Sequence, residues 1–320
     1  MNQSQPLQSQ IFNMGTVITT LVYGENADEV LSEVEREIDR LNRLLSRFVP
    51  ESEISRINTQ AGITPVAVSE ETFQLIQNTI KFSKLSDGLW DITVGPLISL
   101  WEAHKREKTI PDTRTIIECQ SLVDYRNILL DDVLKVVYLK EKGQSVDLGG
   151  IGKGYAADRI SQLLRSHRIE SAYTNFGGNV STVGTKPDGS PWNIGIQHPR
   201  QPDKLIGLVP VRDKTVVTSG DYQRFFLAND GKRYHHIINP KTGYPSESGL
   251  ISTTIIADNS ETADALSTMT FLAGLEESRE IIKAFEEIEA VFIDKTLNVY
   301  LTRGIADRFE GIGGLKINVI

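Results

Sequence analysis

The sequence contains a single cysteine, Cys119, so neither a disulfide framework within the chain nor a multi-cysteine metal site can be built from it. It also lacks an excess of positive charge. Its 34 Lys and Arg face 42 Asp and Glu, leaving a formal net charge of −8 with no basic cluster, which argues against a nucleic-acid partner. An anionic ligand would need a local concentration of donors. The opening MNQSQPLQSQ has no basic region, apolar run or early cysteine for lipid attachment, so the expectation is a cytoplasmic chain without a membrane span. Several signatures are missing too. Gly149–Lys153 resembles a P-loop only until Gly154, where Ser or Thr is required, and its glycine spacing is not the G-x-G-x-x-G of dinucleotide binding. No H-E-x-x-H zinc pattern, G-x-S-x-G elbow, short-period repeat or low-complexity linker occurs.

What is there divides into helical and strand patterns that do not alternate strictly, which predicts an α+β fold. The expected form is two closely packed α/β lobes with antiparallel or mixed sheets and flanking helices. Residues 1–12 are expected as a flexible leader and 13–320 as one domain. Val17 to Tyr23 reads as a strand, and Val30, Leu31, Val34, Ile38, Leu41, Leu45 and Phe48 form one stripe of a helix from Ala27 to Phe48, stopped by Pro50. A second helix is predicted over 72–85, a charged surface excursion over 102–124, and a hairpin over 128–139. Short strands over 192–238 read as an antiparallel meander, and helices return at 260–272 and 276–287.

The chemistry concentrates in four places. Val146 to Arg159 puts Asp147, four glycines and Lys153 between a strand and a helix, where free N–H groups and a cation can seat a pyrophosphate; the alternative is a tight packing turn. Glu261, Asp264 and Thr268 share a helix face. Asp and Thr oxygens suit Mg²⁺ when phosphate completes the shell, and the alternative is an ordinary polar face. His235 and His236 would face opposite ways on a strand, so one can serve as general base while the other is inert. Ser219 and Arg224 end another strand with polar donors, and Asp91 lies among Leu89, Trp90 and Ile92 as either turn residue or ligand contact.

Taken in order, Met14-Gly15-Thr16, SRFVPESEISRIN, DGLWDITVGPL, VDLGGIGKGYAAD, NFGGN, VVTSGDYQR, HIINPKTGYP and TADALST resemble the ApbE-type FAD:protein FMN transferase family over nearly the whole chain. That resemblance implies an Mg²⁺-dependent enzyme that splits FAD, attaches FMN through its phosphate to Ser or Thr of a flavoprotein, and releases AMP. It implies a metal site of Asp264, Thr268 and the Gly152 carbonyl, with His236 as base and His235 as bystander. Met14, Phe48, Leu89, Trp90, Asp91, Gly149, Lys153, Tyr155, Ser219 and Arg224 fall at positions expected near FAD. Phe48 stands where Tyr is common and Asn239 where Asp is frequent. The acceptor is expected to carry D-x-x-[ST]-G-A-[ST], a pattern this chain lacks. Competing readings are an Mg²⁺-dependent FAD pyrophosphatase and a flavin-binding protein without turnover.

Overall fold

The computed structural model describes residues 5–320. It begins with a hairpin, β1 (Leu7–Asn13) and β2 (Thr16–Tyr23). Met14 and Gly15 join the strands with positive φ of 48° and 70°, the two-residue reversal that matches strand twist. Strand therefore starts at Leu7, inside the expected leader; residues 1–4 lie outside the described residues. The polar side chains of β1 hid an edge strand, since Ile11 alone packs partly on the main core.

Helix α1 (Ala27–Leu45) buries the predicted stripe but ends before Phe48. Ser46 turns to extended backbone and its carbonyl accepts the Ser52 hydroxyl at 2.6 Å, so Arg47 and Phe48 leave the helix. Next come α2 (Glu53–Thr59), β3 (Val66–Ala67) and α3 (Glu70–Leu85), with Ser52 and Ser69 capping the two helices. The surface excursion expected over 102–124 is instead α4 (Gly95–Glu107) and α5 (Thr113–Gln120). Pro96 suits the first turn of α4 and Asp112 caps α5, while Leu97, Trp101 and Ile116 are buried with Tyr234 and Ile238. The hairpin of β4 (Ile128–Asp131) and β5 (Val136–Leu139) is as expected, and β3 pairs with it.

The remaining elements are α6 (Gly152–Ser166), β6 (Ser171–Phe176), β7 (Asn179–Gly184), β8 (Trp192–Gln197), β9 (Leu205–Val211) and β10 (Thr215–Gly220). They continue through β11 (Phe225–Leu227), β12 (Arg233–His235), β13 (Leu250–Ala257), α7 (Ser260–Ala273) and α8 (Leu275–Lys283). The chain closes with β14 (Glu289–Asp294), β15 (Val299–Leu301), α9 (Arg303–Ala306), β16 (Glu310–Gly311) and β17 (Ile317–Val319). A nine-stranded sheet runs β1-β2-β6-β7-β10-β13-β14-β15-β17, antiparallel except for the β15–β17 pair. The expected meander over 192–238 is thus three separate pieces. β8 pairs with β9 and β9 with β16, β10 joins the main sheet, and β11–β12 form their own hairpin.

Alternation decides the layering. Val217, Ile255 and Phe292 point to the side of the sheet covered by α1, α6 and α7, whereas Val216, Ile256 and Val291 point to the β8–β9–β16 sheet. The mixed helix and sheet content is the α+β class that the sequence predicts. Helices α6 and α7 cross so closely that a Cβ at Gly154 would lie 2.2 Å from the Ser260 carbonyl oxygen. That crossing sets the α6 turn beside Asp264. No helix among the described residues is long and apolar enough to cross a membrane.

Candidate active site

Loop ends from several distant segments enclose a cleft of about 360 Å³, large enough for a substantial organic ligand. Met14 enters from the β1–β2 tip, Phe48 from the end of α1, Trp90 and Asp91 from the loop before α4, and Gly149, Gly152 and Lys153 from the α6 turn. Ser219 from β10, Arg224, His236, and Asp264 with Thr268 from α7 complete the predicted set. Two predicted residues do not reach it. Leu89 is packed in the main core, and the Tyr155 hydroxyl donates to Glu71 Oε1 at 2.6 Å away from the cleft. Burial together with that carboxylate raises the Tyr155 pKa.

The glycine turn is more self-satisfied than its sequence suggests. Gly149 N–H donates to Asp147 Oδ1 at 2.7 Å, Ile151 and Gly152 donate to the Leu148 carbonyl, and Gly154 donates to Asp264 Oδ2 at 2.9 Å. Gly150 and Lys153 keep N–H groups without a hydrogen bond among the described residues. The expected row of free amides is therefore shortened, and the Lys153 ammonium becomes the main anion donor. It lies 2.8 Å from the Gly149 carbonyl and 3.4 Å from both oxygens of Asp264.

Asp264 is buried and its Oδ1 has only this ammonium as partner, so a cation already stands where a metal ion would be held. Thr268 Oγ1 lies 3.2 Å from Ser219 Oγ, which also meets Ser267 Oγ at 2.8 Å. No group of three or more His, Cys, Asp or Glu gathers among the described residues. Asp264, Thr268 and Gly152 all line the cleft, and a carboxylate, a hydroxyl and a carbonyl are the hard-oxygen types that suit Mg²⁺.

The two histidines differ by their hydrogen bonds rather than by strand alternation, because β12 ends at His235 and both border the cleft. His235 Nε2 meets the Ser246 carbonyl at 2.9 Å, so it carries the proton, and Nδ1 accepts the Ile237 N–H at 3.2 Å. Its ring also stands edge-on to Phe271. His236 Nδ1 meets the Arg224 carbonyl at 3.2 Å and must donate, which leaves Nε2 as a free acceptor. Desolvation, then the Arg224, His235 and Lys153 charges, push the His236 pKa down. His236 is exposed, so solvent screening moderates the shift. The imidazole is neutral at physiological pH.

Asp91 behaves as a turn residue at the cleft wall. Its Oδ1 accepts from Thr93 N and Oγ1 at 2.8 and 2.7 Å, and its Oδ2 from Tyr125 N at 2.8 Å. Burial raises its pKa against those bonds. Phe48 leaves 71% of its surface exposed at the mouth, a ring available for stacking. Sequence reasoning missed Arg47, Trp101, Glu102 and Gln223 as lining residues. For Arg47 a signal existed, since it precedes the predicted Phe48.

The ApbE family's sequence profile matches residues 14–292, which takes in every one of these segments. The chain belongs to the ApbE family. It is 37% identical over 299 residues to a FAD:protein FMN transferase of Klebsiella pneumoniae (strain 342), covering 93% of this chain and 92% of that protein. It is 35% identical over 313 residues to a FAD:protein FMN transferase of Treponema pallidum (strain Nichols), covering 92% and 86% of the two. The crystal structure of the ApbE protein from Thermotoga maritima superposes with a TM-score of 0.88 at 33% identity, over 95% of this chain and 99% of that one. The named relatives are transferases, the enzyme class that the resemblance implies. Within this ApbE-family chain, all eight motif segments contribute at least one residue to the cleft.

Proposed function

We propose that this chain is an Mg²⁺-dependent FAD:protein FMN transferase, working as one unit over residues 13–320. It joins FMN through its phosphate to a Ser or Thr hydroxyl of a flavoprotein bearing D-x-x-[ST]-G-A-[ST] and releases AMP. The observation that carries this reading is the neutral His236 with Nε2 free, in one cleft with Lys153, Asp264 and Thr268. The names of the relatives support it.

In this reading the acceptor oxygen attacks the FMN-side phosphorus, its proton passes to His236 Nε2, and the anhydride P–O bond breaks with the bridging oxygen leaving on AMP. The Arg224 carbonyl holds the imidazole in the tautomer that can take the proton. Lys153 offers its ammonium to the pyrophosphate. Asp264, Thr268 and the Gly152 carbonyl would hold Mg²⁺, which when bound neutralises pyrophosphate charge. Phe48 gives a ring face for a flavin or adenine but no hydroxyl.

Incubating the protein with FAD, Mg²⁺ and an acceptor domain, then weighing that domain, tests the proposal. A gain of one FMN with matching AMP is expected. AMP and free FMN with an unchanged acceptor would instead make the chain a pyrophosphatase, and no FAD cleavage would leave only flavin binding.

A further inference from the structure

Behind the glycine turn runs a chain of contacts that neither the metal set nor the base uses. Arg47 Nη2 lies 2.6 Å from Glu102 Oε2, its Nε contacts Asp147 Oδ2, and its guanidinium carbon sits 4.2 Å from the Phe48 ring centre. Asp147 Oδ1 in turn accepts the Gly149 N–H at 2.7 Å, and the Gly149 carbonyl accepts Lys153 Nζ at 2.8 Å. Side chains of Arg47 and Asp147 are only 15% and 11% exposed.

The arrangement raises an electrostatic problem. Asp147 is needed to fix the turn, yet its carboxylate borders a site read as holding a pyrophosphate. The lining carries four carboxylates, Asp91, Glu102, Asp147 and Asp264, against four cations, Arg47, Lys105, Lys153 and Arg224. Without Arg47 the balance tips toward repelling an anion. Its planar cation lies against Asp147 and donates from Nη2 to Glu102 while its face backs Phe48, which a lysine cannot do equally.

We infer that Arg47 is a positioning residue for FAD: it neutralises Asp147 beneath the glycine turn, so that the turn is held by a carboxylate without repelling the pyrophosphate. This rests on the proposed flavin-transferase reading. Arg47 does not touch the reacting atoms, and its effect belongs to FAD affinity rather than to acceptor use.

A charge-suppression cycle in the full chain tests it, with FAD binding followed by quenching of flavin fluorescence in Mg²⁺ and the acceptor KM followed by transfer. Arg47→Ala should weaken FAD binding about 30-fold while changing the acceptor KM less than about threefold. Asp147→Asn keeps an oxygen for Gly149 N–H and sets the reference. The Arg47→Ala/Asp147→Asn pair should return to within about threefold of that reference, because the unpaired anion is gone. Arg47→Lys, which keeps the charge, should lose less than Arg47→Ala. A double variant as weak as Arg47→Ala, equal losses in the Ala and Lys variants, or unchanged affinity in Arg47→Ala would each overturn the inference. If Arg47→Ala does not fold, Asp147→Asn alone decides: FAD binding should tighten about threefold, and unchanged or weaker binding overturns it. A wild-type chain that does not bind FAD would sink the functional reading instead, before any variant is compared.

Discussion

At the scale of single residues, the adjacent histidines show how hydrogen bonds separate two identical side chains. Both nitrogens of His235 are engaged, whereas His236 has one anchored nitrogen and one free. General-base help is worth about 10²- to 10⁴-fold, so His236→Ala should lower transfer by that order while FAD binding persists. His235→Ala should leave turnover nearer wild type and lower stability, since it strands the Ser246 carbonyl and removes a ring from Phe271. The pH profile gives an independent check. Desolvation lowers the His236 pKa from its ordinary 6.5, so the ring stays deprotonated below that pH and the acid limb of kcat/KM should lie under 6.5. A limb at or above 6.5 that survives His236→Ala would remove the assignment. Asp264 shows the opposite economy, because one side chain serves two purposes. Its Oδ2 holds Gly154 N–H, so Asp264→Ala is expected to cost stability as well as the proposed metal ligand.

At the scale of elements, the glycines of the α6 turn are not equivalent. A Cβ at Gly152 would meet only Leu148 Cβ at 3.6 Å, ordinary contact, whereas at Gly154 it would press on the Ser260 carbonyl at 2.2 Å and on Asp264 Cβ at 2.7 Å. Gly152→Ala should therefore be neutral or stabilise by up to about 0.5–1 kcal/mol. Gly154→Ala should destabilise by about 1–3 kcal/mol or more, because α7 must back away from α6 and carry Asp264 with it. Urea midpoints and transfer rates for both variants check this, and equal behaviour would refute it. The same elements show what the sequence made legible. Stripes as regular as that of α1, and the polar punctuation around α6 and α7, fix those helices within a few residues. β13 went unread because all eight of its residues are buried, leaving no alternation to detect among its Ser, Thr and Ile. Helices α4 and α5 escaped because Leu97, Trp101 and Ile116 pack on a hairpin more than a hundred residues away, which no local window contains.

At the scale of the whole molecule, the motifs showed which segments meet but not how their polar atoms are shared. The cleft takes residues from Met14 to Leu272, and no short piece of chain contains it. That most of the turn's amides are already satisfied, and that Arg47 and Asp147 pair across a hundred positions, are consequences of packing which spacing alone does not encode. A site assembled only by the complete fold should bind its ligands in the native state and not in the unfolded chain, so ligands must raise the melting temperature. At a free concentration a hundredfold above Kd the gain is about 2.7 kcal/mol. A chain of this size converts each kcal/mol into roughly 2 °C, which gives an expected rise of about 5 °C with FAD and Mg²⁺ together. FAD with excess chelator should give a smaller rise, because in the proposed reading the Lys153 ammonium, 3.4 Å from Asp264, would then be the cation left to offset both the carboxylate and the pyrophosphate. Mg²⁺ alone should give the least, since one carboxylate and one hydroxyl make a poor cage without phosphate. Thermal scans under the three conditions measure this directly. Equal rises with and without chelator would show that the metal plays no part in holding FAD, and no rise at all would take the flavin itself out of the cleft.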